Sequence, residues 1–122
     1  MAIRTFRFPH EMKLSDKQQR FVQMLGQLLQ WIYSHEGWGV TLAEAYRPPD
    51  VAELYAKQGR GIKNSLHCKR LAIDLMFFID GEWQQDGEAY RPIGEHWEFL
   101  GGAWGGRFND AVHFSLEHGG IK

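Results

Sequence analysis

The stretch "RLAIDLMFFIDGEW", from Arg70 to Trp83, constrains the fold more than any other part of the chain. Its branched and aromatic residues read as a strand, and Asp80-Gly81 is a dipeptide that favours the primed turns of two-residue hairpins. The chain is therefore expected to reverse at once and pair antiparallel from near Glu82. Alternation sets Leu71, Ile73 and Leu75 on one face and Ala72, Asp74 and Met76 on the other. An unpaired carboxylate in so apolar a run is costly. Asp74 thus calls for a backbone or arginine partner, or for a metal ion.

Helical spacing precedes this strand. In "SDKQQRFVQMLGQLLQWIYSHEG", Ser15 and Gln18 form a capping-box pattern, and Phe21, Met24, Leu25, Leu28 and Ile32 recur on one face. Gly37 offers a stop. "WGVTLAEAYRPP" reads as a strand with Val40 and Leu42 on a buried face, ended by Pro48 and Pro49. "PDVAELYAKQG" suits a short helix closed by Gly59, and the polar "RGIKNS" leads to His67. Beyond the hairpin, "PIGEHWEFLGGAWGGRF" reads as a short helix entering a glycine-rich loop around Trp104, and "AVHFSLE" as the last strand. The order predicts an α+β fold: a small, mostly antiparallel sheet with helices packed on one side.

A length of 122 residues suits a single domain spanning 1–122. With 43% hydrophobic and 24% charged residues the composition is that of a folding chain. A net charge of −1 argues against a broad grip on nucleic acid, with Lys57, Arg60 and Lys63 read as a solvated loop or a local basic patch. One cysteine, Cys68, excludes a disulfide framework and a cysteine-rich zinc knuckle, and is read as packing. The first residues hold no secretory core, and no window approaches the roughly 20 apolar residues of a membrane span. A monomer made in the cytoplasm, without membrane insertion, is the expectation.

In a regular last strand, Val112, Phe114 and Leu116 face one way while His113 and Ser115 face the other, so His113 and Asp74 can share a polar face. His67 lies seven positions before Asp74 (74 − 67). In one straight strand that odd separation would put it on the opposite face, so it must stand on a bend before the strand, as "KNS" allows. Two histidines and a carboxylate then suffice for an open zinc site with water in the fourth position. Asp110, three residues before His113, is the best candidate for a general base; Glu95 and Glu98 are alternatives that also fit a solvated helix face. Arg47 could hold a substrate carboxylate. Plainer roles stand beside these: Asp110 as a turn residue, Arg47 in a surface ion pair. His10, His35, His96 and His118 show no partner pattern and read as structural.

These residues resemble the VanY-like zinc D,D-carboxypeptidases and the related L-alanyl-D-glutamate peptidases used as phage endolysins. The zinc segment of that family reads Ser-x-His-x-x-Gly-x-Ala-x-Asp, and "SLHCKRLAID" matches it at Ser65, His67, Ala72 and Asp74. Its second segment is matched by "DAVHF" at Asp110, His113 and Phe114, with "WGG" at Trp104 to Gly106 upstream and a Tyr-Arg pair at Tyr46 and Arg47. The resemblance runs from about Val40 to Leu116. It implies a D-Ala-D-Ala carboxypeptidase/Hedgehog-like fold, Zn2+ held by His67, Asp74 and His113 on the sheet, Asp110 as base, Arg47 near the substrate and Ser65 as a supporting or substrate contact. The pattern departs at Arg70, where the family has a glycine that permits an unusual backbone angle.

The expected function is zinc-dependent hydrolysis of a peptidoglycan stem-peptide bond, L-Ala-D-Glu or D-Ala-D-Ala. The setting would be a phage or prophage lysis enzyme that acts on the wall after release or from a virion. A non-catalytic cell-wall-binding or phage structural module on the same fold is the main alternative. A non-haem iron oxygenase shares the ligand types, but its histidine and carboxylate usually stand one residue apart, unlike His67 and Asp74.

Overall fold

The computed structural model describes residues 12–122, so His10 lies outside the described residues. The strand foreseen at Arg70–Trp83 organises the sheet. It runs over Ala72–Ile79 (β2), turns at Asp80 and Gly81, both with positive φ (50° and 81°), and returns as Glu82–Trp83 (β3). Ile79 faces Glu82 across this two-residue turn. The first half of β2 pairs with His113–Ser115 (β5), and its second half with Trp38–Leu42 (β1). Ala103–Trp104 (β4) closes the order β1-β2-β5-β4, and every pairing is antiparallel.

Among the described residues, three α-helices accompany this sheet: Leu14–Tyr33 (α1), Pro49–Lys57 (α2) and Arg91–Phe99 (α3). Phe21, Met24, Leu28 and Ile32 of α1 are buried, as their spacing predicts, with Leu25 partly covered. Phe21 meets Trp97 of α3 edge-on at 5.6 Å, and Trp31 stacks on His96 at 4.0 Å between ring centres. His35 stacks on Trp38 at 4.2 Å. These two histidines are structural. The helix α2 buries only Ala52, and Arg47 and Arg60 on either side of it line the cleft described below.

The structure corrects the sequence reading in four places. The capping box does not form: Lys13 is the N-cap of α1 and makes no side-chain cap, while the Gln18 amide donates to the Lys69 carbonyl across the fold at 2.7 Å. Gln18 is drawn into a tertiary contact in place of the local one. The helix stops at Tyr33, with the Ser34 hydroxyl donating to the Trp31 carbonyl, and Gly37 (φ 82°) serves the turn into β1. Leu42 is 65% exposed, because β1 is an edge strand and Leu42 is its last residue. Trp104 lies in a strand and not in a loop, with its indole nitrogen donating to the Ala111 carbonyl at 2.8 Å.

Trp104 also explains glycine at position 94. A Cβ there would overlap the indole ring of Trp104, so α3 can approach the sheet this closely only without a side chain at that point. Gly94→Ala is expected to destabilise the protein by about 3 kcal/mol through overpacking, read as a lower urea midpoint at unchanged m.

Candidate active site

His67 reaches the site by a bend, as its odd spacing from Asp74 requires. Leu66–Lys69 form a single 3-10 turn capped by the Ser65 hydroxyl, which accepts from the His67 backbone N–H at 3.2 Å. The turn ends at Arg70 in the left-handed region (φ 56°, ψ 37°). Arg70 therefore adopts the angle that the family's glycine would supply, at a cost on the order of 1 kcal/mol. Its guanidinium lies 4.1 Å over the Tyr46 ring, a cation–π contact that offsets part of this cost. Leu71 then enters the core and β2 begins.

Asp74 stands directly opposite His113 in the β2–β5 register. One carboxylate oxygen, Oδ1, lies 3.3 Å from His67 Nε2 and 3.6 Å from His113 Nδ1, and a ligand atom from each of the three residues falls within 4.8 Å of the others. His67 and His113 are buried, and Asp74 is about one-fifth exposed. His67 Nδ1 donates to the Ala45 carbonyl at 2.9 Å, which leaves the lone pair of a neutral ring on Nε2, facing Asp74. Asp74 Oδ1 and His113 Nε2 are buried without a hydrogen-bond partner. Buried polar atoms left so are normally paired. Two imidazoles and a carboxylate, with Asp74 Oδ1 unpaired between the two rings, are the donor set of an open zinc centre, so the residues present fit such an ion.

The electrostatics agree. Burial opposes ionisation of Asp74, but the imidazoles of His113 and His67 outweigh it and hold the carboxyl down at about 2. Burial pushes His67 down, whereas Asp74 and the Ala45 carbonyl reverse this and leave it above the ordinary 6.5. Asp110 sits at the rim, half exposed, with Oδ2 4.0 Å from His113 Nδ1. Partial burial raises its carboxyl, the His113 ring pulls it back, and the negative charge of Asp74 raises it again, leaving it above 3.8. An elevated carboxyl beside a metal-type cluster suits proton transfer.

Asp110 is held by local backbone geometry. Gly105–Phe108 form a 3-10 turn, Asn109 takes a left-handed angle (φ 63°), and Asp110 N donates to the Gly105 carbonyl at 2.8 Å. The Asp110 carbonyl in turn accepts from His113 N at 3.0 Å, tying the candidate base to the facing histidine. A Cβ at Gly105 would overlap the Asp110 carbonyl and crowd His113, which gives the second glycine-rich segment its physical reason.

Arg47 does face the cleft, a cavity of about 560 Å³ that Ser65, His67, Asp74, Asp110 and His113 also line. It is not free, since both Nε and Nη2 bond the Glu44 carboxylate, and its backbone N–H donates to the His67 carbonyl at 3.2 Å. The plainer ion-pair reading therefore holds, with Arg47 of the pair in the wall of the cleft. Glu44 was not singled out in the sequence; its three-residue spacing from Arg47 is the one local signal that could have marked it. Glu98 pairs with Arg107 at 2.7 Å and Glu95 is exposed on α3, so both serve the helix surface. Cys68 stands outside the cluster. His118 sits 3.3 Å from Lys17 Nζ, away from it.

The opposed shifts define a pH window for the metal-free protein. Asp74, lowered from 3.8 to about 2, contributes stability that is present above 3.8 and lost as pH falls toward 2. His67, raised above 6.5, contributes stability that is full below 6.5 and lost as pH rises through its folded value. Chelator-treated protein is expected to resist urea best between about pH 4 and 6.5. Added zinc, which needs neutral histidines, should restore the stability lost at higher pH. A flat urea midpoint from pH 5 to 8 without metal would contradict this account.

Known proteins resemble this chain in one segment and in fold. Residues 58–116, which include the whole His67–Asp74–His113 set and Asp110, match the model of a family described as D-alanyl-D-alanine carboxypeptidase. No curated protein matches significantly. Among solved structures, the L-Ala D-Glu endopeptidase ChiX of Serratia marcescens superimposes with a TM-score of 0.61 at 17% identity, covering 92% of this chain and 90% of that one. At that identity the likeness speaks for the fold, which is the α+β peptidase fold expected from the sequence. The matched segment and the fold both agree with the resemblance of the motifs to the VanY-like and L-alanyl-D-glutamate peptidases.

Proposed function

We propose that the protein is a zinc-dependent peptidase that hydrolyses a bond in the peptidoglycan stem peptide. The observation that carries this reading is the convergence of His67, Asp74 and His113, with Asp74 Oδ1 buried and unpaired between the rings, beside the half-exposed carboxylate of Asp110. In this reading His67 Nε2, Asp74 and His113 hold the ion. Zinc bound there supplies Lewis acidity, polarising a carbonyl and lowering the pKa of water toward about 7.

The remaining work falls to the chain's own groups. Asp110 accepts a proton from the attacking water at its carboxylate and passes it to the departing amine nitrogen, so that one water is added across the bond and Asp110 ends as it began. Its raised carboxyl favours holding that proton between the two steps. Arg47, oriented by Glu44, offers its outer guanidinium edge to a substrate carboxylate, while Ser65 keeps the His67 turn in place. Ala45 fixes the His67 ring by accepting from Nδ1. A lytic role for a phage or prophage, with the protein acting on the wall after release from the cytoplasm or from a virion, rests on the resemblance to endolysins. Lysis on co-expression with a membrane pore tests it.

Digestion of purified peptidoglycan, with mass spectrometry of the products, tests the reading itself. The zinc-loaded protein should release new termini at one stem-peptide bond, and chelation should abolish release until zinc is returned. Asp110→Asn should lower kcat roughly 100- to 10,000-fold at unchanged zinc stoichiometry. Equal rates would remove Asp110 from the mechanism. Bound zinc without any product would leave a non-catalytic wall-binding module, and iron with 2-oxoglutarate turnover would favour an oxygenase.

A further inference from the structure

Asp110 forms part of the wall of two cavities. One is the ligand-bearing cleft, which has Arg47 and Arg60 in its wall. The other, about 580 Å³, lies beyond Asp110 between the segment that follows the β2–β3 hairpin and the Asn109–Val112 stretch. No lysine, arginine or histidine lines this second cavity, whose wall carries Trp83, Gln84, Gln85, Asp86 and Asn109. Trp83 is 51% exposed and stacks on no other ring among the described residues. The side chains of Gln85 and Asn109 likewise hold no hydrogen bond among them.

The wall is built, not loose. Gln84 N donates to the Phe77 carbonyl at 2.8 Å, and the Tyr90 hydroxyl donates to the Gln84 carbonyl at 2.9 Å while accepting from Phe77 N at 3.1 Å. Three acids line it: Asp110, Asp86, whose Oδ1 accepts from Glu88 N at 3.0 Å, and Glu88, which pairs with Arg91 at 2.9 Å. The cavity thus offers carboxylate acceptors, amides and an open indole face, and no cation. That combination suits a neutral, hydroxylated ring, whose C–H face lies on the indole while its hydroxyl and acetamido groups meet carboxamides.

We infer that this cavity is the subsite for the N-acetylated sugar to which the stem peptide is joined, with Trp83 as its platform. The inference rests on the peptidoglycan reading above and deepens it. At the first bond of a sugar-linked stem, the amino side carries a neutral sugar and the carboxyl side an acidic residue. The two cavities meet at Asp110, the one at Trp83 offering carboxylates and carboxamides to sugar hydroxyls and no cation, the other offering Arg47 and Arg60 to an acidic residue. At the far end of the stem both sides of the scissile bond are peptide, and the Trp83 arm would have no such occupant. The groove therefore selects the first bond, L-Ala-D-Glu, in glycan-linked material.

Calorimetric titration of the Asp110→Asn protein with N-acetylmuramoyl-L-alanyl-D-glutamate and with L-alanyl-D-glutamate reads binding without turnover. The sugar-linked ligand should bind about tenfold tighter, the order expected of one ring contact. Trp83→Ala should erase that ratio and Trp83→Phe should retain part of it. Equal affinities in the parent protein, or a ratio that survives Trp83→Ala, overturns the inference. Separately, zinc-loaded wild type that cleaves neither ligand nor whole peptidoglycan overturns the peptidase reading, and cleavage of both ligands with equal kcat/KM overturns only the sugar subsite.

Discussion

The structure depends on keeping an ionised carboxylate inside an otherwise apolar strand. Asp74 lies in β2, whose neighbours Ile73 and Leu75 are almost fully buried, so its charge can persist only if other groups compensate it. The β2–β5 register supplies His113 directly across the ladder, and the turn before β2 supplies His67 from above. Cross-strand neighbours in such a ladder are within reach of each other by geometry alone. A one-residue slip in register would turn Asp74 away from His113 and into the aliphatic core, so register, charge and candidate ligation stand or fall together.

What secures that register is aromatic packing at some distance from the site. Trp97 of α3 donates from its indole to the Ser115 carbonyl at 2.9 Å, and Trp104 does the same to Ala111, so two indoles fix both ends of the β5 segment. Gly94 and Gly102 make room for the rings of Trp104 and Trp97 respectively, since a Cβ at either would overlap the indole. Phe114, buried between His113 and Ser115, meets Trp97 nearly at right angles. The site therefore rests on a sheet clamped from behind, which is how buried packing positions side chains that gain little stability themselves.

The β2–β3 hairpin has a matching role on the other flank. Its primed turn sets Trp83 next to Phe78 in the ladder and leads the chain past the Asp110 loop, so one short reversal both closes the sheet edge and shapes the second cavity. The candidate site is distributed between strands, which bear Asp74, His113 and Trp83, and short turns or loops, which bear His67, Asp110 and Arg47.

Much of this was legible in the chain itself. Asp80-Gly81 dictated the hairpin, the α1 spacing dictated its buried face, and the parity of the seven-residue gap forced His67 onto a bend. Those are local facts, governed by backbone sterics and by the period of the element. Even Arg70 follows from them, because a bend that tight needs a left-handed residue whether or not glycine is there. The chain alone did not show that Gln18 would leave its capping box for Lys69, that Leu42 would end an edge strand in solvent, or that Trp104 would be a clamp. Nor did it show that Glu44 would orient Arg47 or that Trp83 and Asp110 would wall one cavity. Each of these depends on which surfaces meet after residues distant in sequence pack, and a free-energy choice between a local bond and a tertiary one cannot be read from the local segment.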